Sequence, residues 1–106
     1  MAKSYWIGHI DVHDAHGYHA YIEANEQVFL RYGARFVVRG GEQVVKEGSS
    51  RARTVVIEFA DYATALACYE SPEYAAVMAK RVPYSAADVL IVSGYDGPQP
   101  GRSQPA

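Results

Sequence analysis

Three runs in this chain, Phe36-Val37-Val38, Val55-Val56-Ile57 and Val89-Leu90-Ile91-Val92, are apolar at consecutive positions rather than at alternate ones. Runs this short and rich in β-branched residues read as strands. Neighbouring side chains in a strand point to opposite faces, so each of these strands is apolar on both sides. A sheet built from them needs a cover on each face. The rest of the chain offers helical patterns enough for one. The second face would expose more apolar surface than soluble monomers usually tolerate. A second copy of the chain is the expected cover, since burying a large aliphatic side chain gains roughly 1.5–3 kcal/mol.

The order of elements follows from local signals. Ser4 to Val12 reads as the first strand. Asp14 then caps a helix whose stripe carries Tyr18, Ile22, Val28, Phe29 and Tyr32, and Gly33 ends it. Arg35 to Arg39 is the second strand; Gly40-Gly41 permits a bend or bulge, with Gln43 to Glu47 expected to continue the edge. Gly48-Ser49-Ser50 turns the chain into a third strand, Arg53 to Phe59. Asp61 caps a second helix, which Ser71-Pro72-Glu73 divides into Tyr62–Glu70 and Pro72–Lys80. Ala87 to Tyr95 is the last strand. This βαββαβ order predicts an α+β, ferredoxin-like fold with a four-stranded antiparallel sheet. Two such sheets face to face make a dimeric α/β barrel. Residues 1–95 form the single domain, and 96–106 are expected to be a disordered Pro/Gly-rich tail.

Composition removes several function classes. A formal charge of −2 and a pI near 6.0 argue against nucleic acid, whose binders depend on a basic surface. No apolar stretch approaches the ~20 residues of a membrane helix, and the first residues lack the pattern of a signal peptide. The lone Cys68 cannot form an internal disulfide, which fits a cytoplasmic protein.

Arg35-Phe-Val-Val-Arg-Gly-Gly41, Val55-Val-Ile-Glu-Phe59 and Ser71-Pro-Glu-Tyr74, at these separations, resemble the "domain of unknown function 1330" family of the dimeric α/β-barrel superfamily. The resemblance runs from about Tyr5 to Val92. It implies the ferredoxin-like fold and a homodimer, and brings no established activity. The wider superfamily holds monooxygenases, isomerases, haem-modifying enzymes and ligand binders, so the fold does not select a function. One departure stands out. Members often carry an aromatic residue and a proline after the glycine matching Gly48, where this chain has Ser49-Ser50-Arg51-Ala52.

The topology brings the ends of strands one and two to the same rim as the starts of strands three and four. Arg39, Arg53, Asp11 and Asp88 are therefore expected to cluster there, with His9 a little further in. Such a cluster is either an anion site, since guanidinium forks match carboxylates, or a salt-bridge network that holds the rim together. Glu58, inside an apolar strand, is either a general base of raised pKa or the partner of a cation or hydroxyl. His9, His13, His16 and His19 resemble a metal cluster, but no second-shell partner is recognisable, and a solvated helix start explains them as well. Tyr74 either reaches a ligand or packs a helix start against the sheet. Cys68 reads as a small buried hydrophobe. Gly40-Gly41 lacks the lysine and helix start of a phosphate loop.

Two functions fit these residues. One is a homodimer that binds a small organic, anionic ligand or acts structurally. The other is a cofactor-independent enzyme of the monooxygenase or isomerase kind, acting on a small apolar or aromatic substrate. No motif calls for a cofactor or a metal. The ligand-pocket residues to follow are His9, Asp11, Arg39, Arg53, Glu58 and Tyr74.

Overall fold

The computed structural model describes residues 2–101 of the 106. The elements run β1 (Ser4–Val12), α1 (Ala15–Arg31), β2 (Arg35–Arg39), β3 (Arg53–Phe59), α2 (Tyr62–Glu70), α3 (Pro72–Met78), a 3₁₀ turn (Val82–Tyr84) and β4 (Ser85–Ser93). The strands form one antiparallel sheet in the order β2-β3-β1-β4. This is the ferredoxin-like arrangement that the sequence predicts.

The caps explain where each helix begins. The Asp14 carboxylate accepts from the backbone N–H of His16 and Gly17, and that of Asp61 accepts from Thr64 at 2.8 Å. Ser71 ends α2 and starts α3: its hydroxyl donates to the Cys68 carbonyl at 2.7 Å and accepts from the Tyr74 N–H at 3.1 Å. At the far end of α1, Gly33 sits at φ +66°, which lets the Ala34 N–H turn back to the Phe29 carbonyl.

Burial alternates along β1. Ser4, Trp6, Gly8 and Ile10 are buried beneath the helices, whereas Tyr5, Ile7, His9 and Asp11 point to the open face. Trp6 is the hub of the helix-covered face. Its ring lies 5.0–5.4 Å from those of Phe29, Phe59, Tyr69 and Tyr74, and its Nε1–H donates to the Ala65 carbonyl at 2.9 Å. Cys68 is fully buried in the same core, and burial pushes its thiol pKa up to about 12, with Glu73 adding to the rise. It is an inert core residue, as its apolar neighbours suggested.

Three expectations need correction. Gln43 to Glu47 do not extend the edge strand: they are exposed and irregular. Gly40, at φ +67°, donates to the Thr54 carbonyl and then turns the chain out of the sheet. The helix expected to reach Lys80 stops at Met78 and gives way to turns and the 3₁₀ segment. The last strand begins and ends two residues earlier than expected, because Ser85 and Ser93 are the partners of the two ends of β1. Beyond β4 the Tyr95 hydroxyl donates to the Pro98 carbonyl at 2.6 Å. Residues 102–106 of the expected tail lie outside the described residues.

Candidate functional site

Small residues on the sheet leave room under α1. Gly8 in β1 and Ala87 in β4 form part of the floor, where larger side chains would fill the space. The resulting cavity of about 50 Å³ is partly open to solvent, and residues at the rim where β1 and β2 end are among its lining. Trp6, Phe29 and Phe36 supply aromatic lining. Tyr18, Tyr21 and Asn25 line it from α1, and Tyr74 from α3.

Three arginines reach this cavity by different routes. Arg39 is there because of a bulge. Phe36 pairs with Ile57, but Val38 pairs with Val56, so one residue of β2 is extra. In regular alternation from Phe36, Arg39 would lie on the open face; the extra residue returns it to the helix side. Its guanidinium lies over the Phe36 ring at 3.9 Å and 3.6 Å from the Glu26 carboxylate. Arg53, at the start of β3, pairs with Ile10 and so faces the helices too. Its guanidinium passes beneath Gly40, where any Cβ would collide with it. Arg81 comes from the turns after α3 and is 8% exposed, its guanidinium carbon 5.7 Å from the Tyr21 ring centroid. Burial works to lower its pKa, but the oxygens of Tyr74, Tyr21 and Tyr69 more than offset that and raise it. It stays cationic.

Among the described residues neither Arg53 nor Arg81 has a carboxylate within 4 Å, and the Arg53 Nε–H is buried without an acceptor. Among the described residues no carboxylate or imidazole lines the cavity. The phenols do not compensate as anions. The Tyr21 hydroxyl shares a 2.8 Å hydrogen bond with that of Tyr74, and burial first, then Tyr74, pushes its pKa well above the ordinary value. Burial also raises that of Tyr18, with Arg53 and Arg81 pulling the other way. The cavity is therefore apolar in its depth and positive around its polar groups.

The carboxylates expected beside Arg39 and Arg53 lie on the other side of the sheet. There Arg51, not either of the expected arginines, bridges them: Nη1 to Asp11 at 2.9 Å and Nε to Asp88 at 3.0 Å. The Ala52 N–H also donates to Asp11 at 3.0 Å. Both sets share a rim, as the topology requires, but alternation puts them on opposite faces. His9 sits beside the Arg51 network. Thr54 donates its proton to Gln43 at 2.6 Å, so at 3.1 Å it accepts from His9 Nδ1. Glu58 lies at the far end of the open face, paired with Lys3 at 3.1 Å and Arg35 at 3.2 Å.

Of the six residues singled out from the sequence, then, Arg39, Arg53 and Tyr74 meet in the cavity. His9, Asp11 and Glu58 do not. His19 pairs with Glu23 at 3.5 Å on the exposed side of α1, and among the described residues no three His, Cys, Asp or Glu side chains gather to hold a metal ion. Sequence reasoning missed Arg51, Arg81, Tyr18, Tyr21 and Asn25. For Asn25 a signal existed, a polar residue at the four-residue step from Tyr21 on an otherwise apolar face. Arg51 comes from the loop where the chain departs from the family pattern. Nothing near Arg81 marks it.

The model of the domain of unknown function 1330 matches residues 3–95. The chain belongs to that family. Among solved structures, the family member described here is similar to the protein of unknown function RPA0582 from Rhodopseudomonas palustris, at a TM-score of 0.70 and 15% identity over 89% of this chain and 83% of that one. It is also similar to SnoaB, a cofactor-independent oxygenase from Streptomyces nogalater, at a TM-score of 0.63 and 13% identity over 90% and 95%. At these identities the likeness shows the fold alone. None of the curated proteins is similar enough in sequence to count as a relative.

Proposed function

We propose that this chain binds a small organic anion in the cavity between α1 and the sheet, and does so as a homodimer. The observation that carries the binding reading is the pair of guanidiniums, Arg53 and Arg81, beside a cavity with no acid among its lining residues. Like charges held in low dielectric repel, and burying them unpaired is expensive. A bound carboxylate removes both penalties, and the aromatic lining suits an apolar body attached to it. The test is thermal unfolding with a panel of small carboxylates. Wild type should melt higher with at least one of them, by about 2.7 kcal/mol of binding linkage at a hundredfold excess over Kd. An Arg53→Met variant should lose that response. No response from wild type across the panel rejects the reading.

The enzyme reading, a cofactor-independent oxygenase or isomerase, draws on the fold shared with SnoaB and on the aromatic lining. It needs a base near the substrate, and the lining residues offer only phenols, two of them with raised pKa values. Binding is the better supported of the two.

The dimer rests on the open face. Tyr5, Ile7, Val38, Val56, Leu90 and Val92 share it, with Leu90 52% and Val92 41% exposed. Lys3, Arg35 and Glu58 close one end of this apolar strip, and Arg51, Asp11 and Asp88 the other. Both ends carry both signs of charge, so the surface suits its own copy. No helix among the described residues is long and apolar enough to cross a membrane. A reducing cytoplasm is the compartment that the lone thiol favours.

A further inference from the structure

An anion accounts for the guanidiniums but leaves one buried group of the cavity without a purpose. Asn25 lies on the core side of α1 and is 5% exposed. Its side-chain oxygen is buried and accepts no hydrogen bond among the described residues. Burying an amide unpaired costs stability, and a leucine here would extend the apolar face of the helix at no such cost. The Arg53 Nε–H, lining the same cavity, is likewise buried and unpartnered. The cavity thus offers an unused acceptor on the α1 side and an unused donor on the sheet side.

We propose that the ligand is a short-chain hydroxy acid, its carboxylate held by Arg53 and its hydroxyl donating to Asn25 Oδ1. The proposal rests on the anion-binding reading above and names the class of anion. An amino acid would also bring a donor for Asn25. Its ammonium, however, would enter a site lined by Arg39, Arg53 and Arg81 and by no carboxylate, where positive charge is repelled. A hydroxyl donates without charge. Size limits the ligand to the shortest acids: the cavity is about 50 Å³. A binding site built around a ligand hydroxyl discriminates against the analogue that lacks it, because the protein acceptor is then left buried and unpaired.

Titration calorimetry on the full chain with matched pairs, lactate against propionate and glycolate against acetate, tests this. Wild type should bind each hydroxy acid at least tenfold more tightly than its deoxy partner. Asn25→Leu should bind lactate and propionate with equal affinity, whatever its effect on acid binding in general. Equal affinity of wild type for both members of each pair overturns the hydroxyl assignment while the anion reading stands; this comparison needs no variant. Retention of the preference in Asn25→Leu also overturns it. If wild type binds none of the four acids, both the anion reading and this assignment fall.

Discussion

Arginines gather on both faces of the sheet at one rim, and the two groups meet opposite fates. On the open face Arg51 is paired with Asp11 and Asp88, and the Ala52 N–H donates to Asp11 as well. On the helix face Arg53 and Arg81 adjoin a cavity without an acid, and only Arg39 has a carboxylate at hand, Glu26. The first group has the features of a structural clasp. The second is the group to which the proposed anion is assigned. A single step in strand register keeps Arg53 from the acids, since it pairs with Ile10 and the next residue of β1 is Asp11, whereas Arg51 reaches them from the loop before β3. Charge in a sequence therefore says little about a site until the face of each side chain is known.

The largest test of this contrast compares neighbours on β1. Trp6→Ala should cost about 3–5 kcal/mol in equilibrium urea unfolding, because the side chain anchors the covered face. Ile7→Ala, on the open face, should cost less, and its cost should vary with protein concentration if a second copy covers that face. Equal, concentration-independent costs would remove the distinction between the faces.

A charge on the open face, midway along the edge strand β4, sharpens it further. Light scattering at micromolar concentration should give wild type twice the chain mass and Leu90→Glu a single chain. A monomeric wild type would show that the open face is not covered by its own copy.

Gly40 links the backbone to the helix-face arginines. Gly40→Ala forces a side chain into left-handed backbone and onto the Arg53 guanidinium. It should cost roughly 1–3 kcal/mol and weaken the response to carboxylates. Gly41 has ordinary backbone and open space around its Cβ position, so Gly41→Ala should be close to neutral. Matching behaviour of the two variants would detach the bend from the site.

The smallest effects belong to the Arg51 clasp, whose members are solvated. Arg51→Ala should lower the melting temperature slightly, and added salt should shrink the difference. The Ala52 N–H, and after it Arg51, hold the Asp11 carboxyl below its ordinary pKa of 3.8. A depressed carboxylate stabilises the fold above its unfolded value and loses that contribution as pH falls from 3.8 through the folded value. Asp11→Asn should flatten this part of the acid-unfolding curve; an unchanged curve would mean that the clasp contributes nothing.

The sequence by itself determined the βαββαβ order, both Asp caps and the Ser71-Pro72 break, because each depends on residues a few positions apart, and it determined the family through three blocks at set separations. Capping, helical periodicity and the demand of Gly33 for left-handed backbone act locally. The sequence also placed Arg39, Arg53, Asp11 and Asp88 at one rim, since antiparallel order alone decides that. Which face each side chain takes was left to the tertiary structure. The bulge between Phe36 and Val38 turned Arg39 toward the helices, a loop tethered by Gln43 and Thr54 delivered Arg51 to the acids, and the turns after α3 brought Arg81 under α1. These outcomes depend on register and on contacts between residues tens of positions apart. Their energies come from burial and pairing that no local window contains.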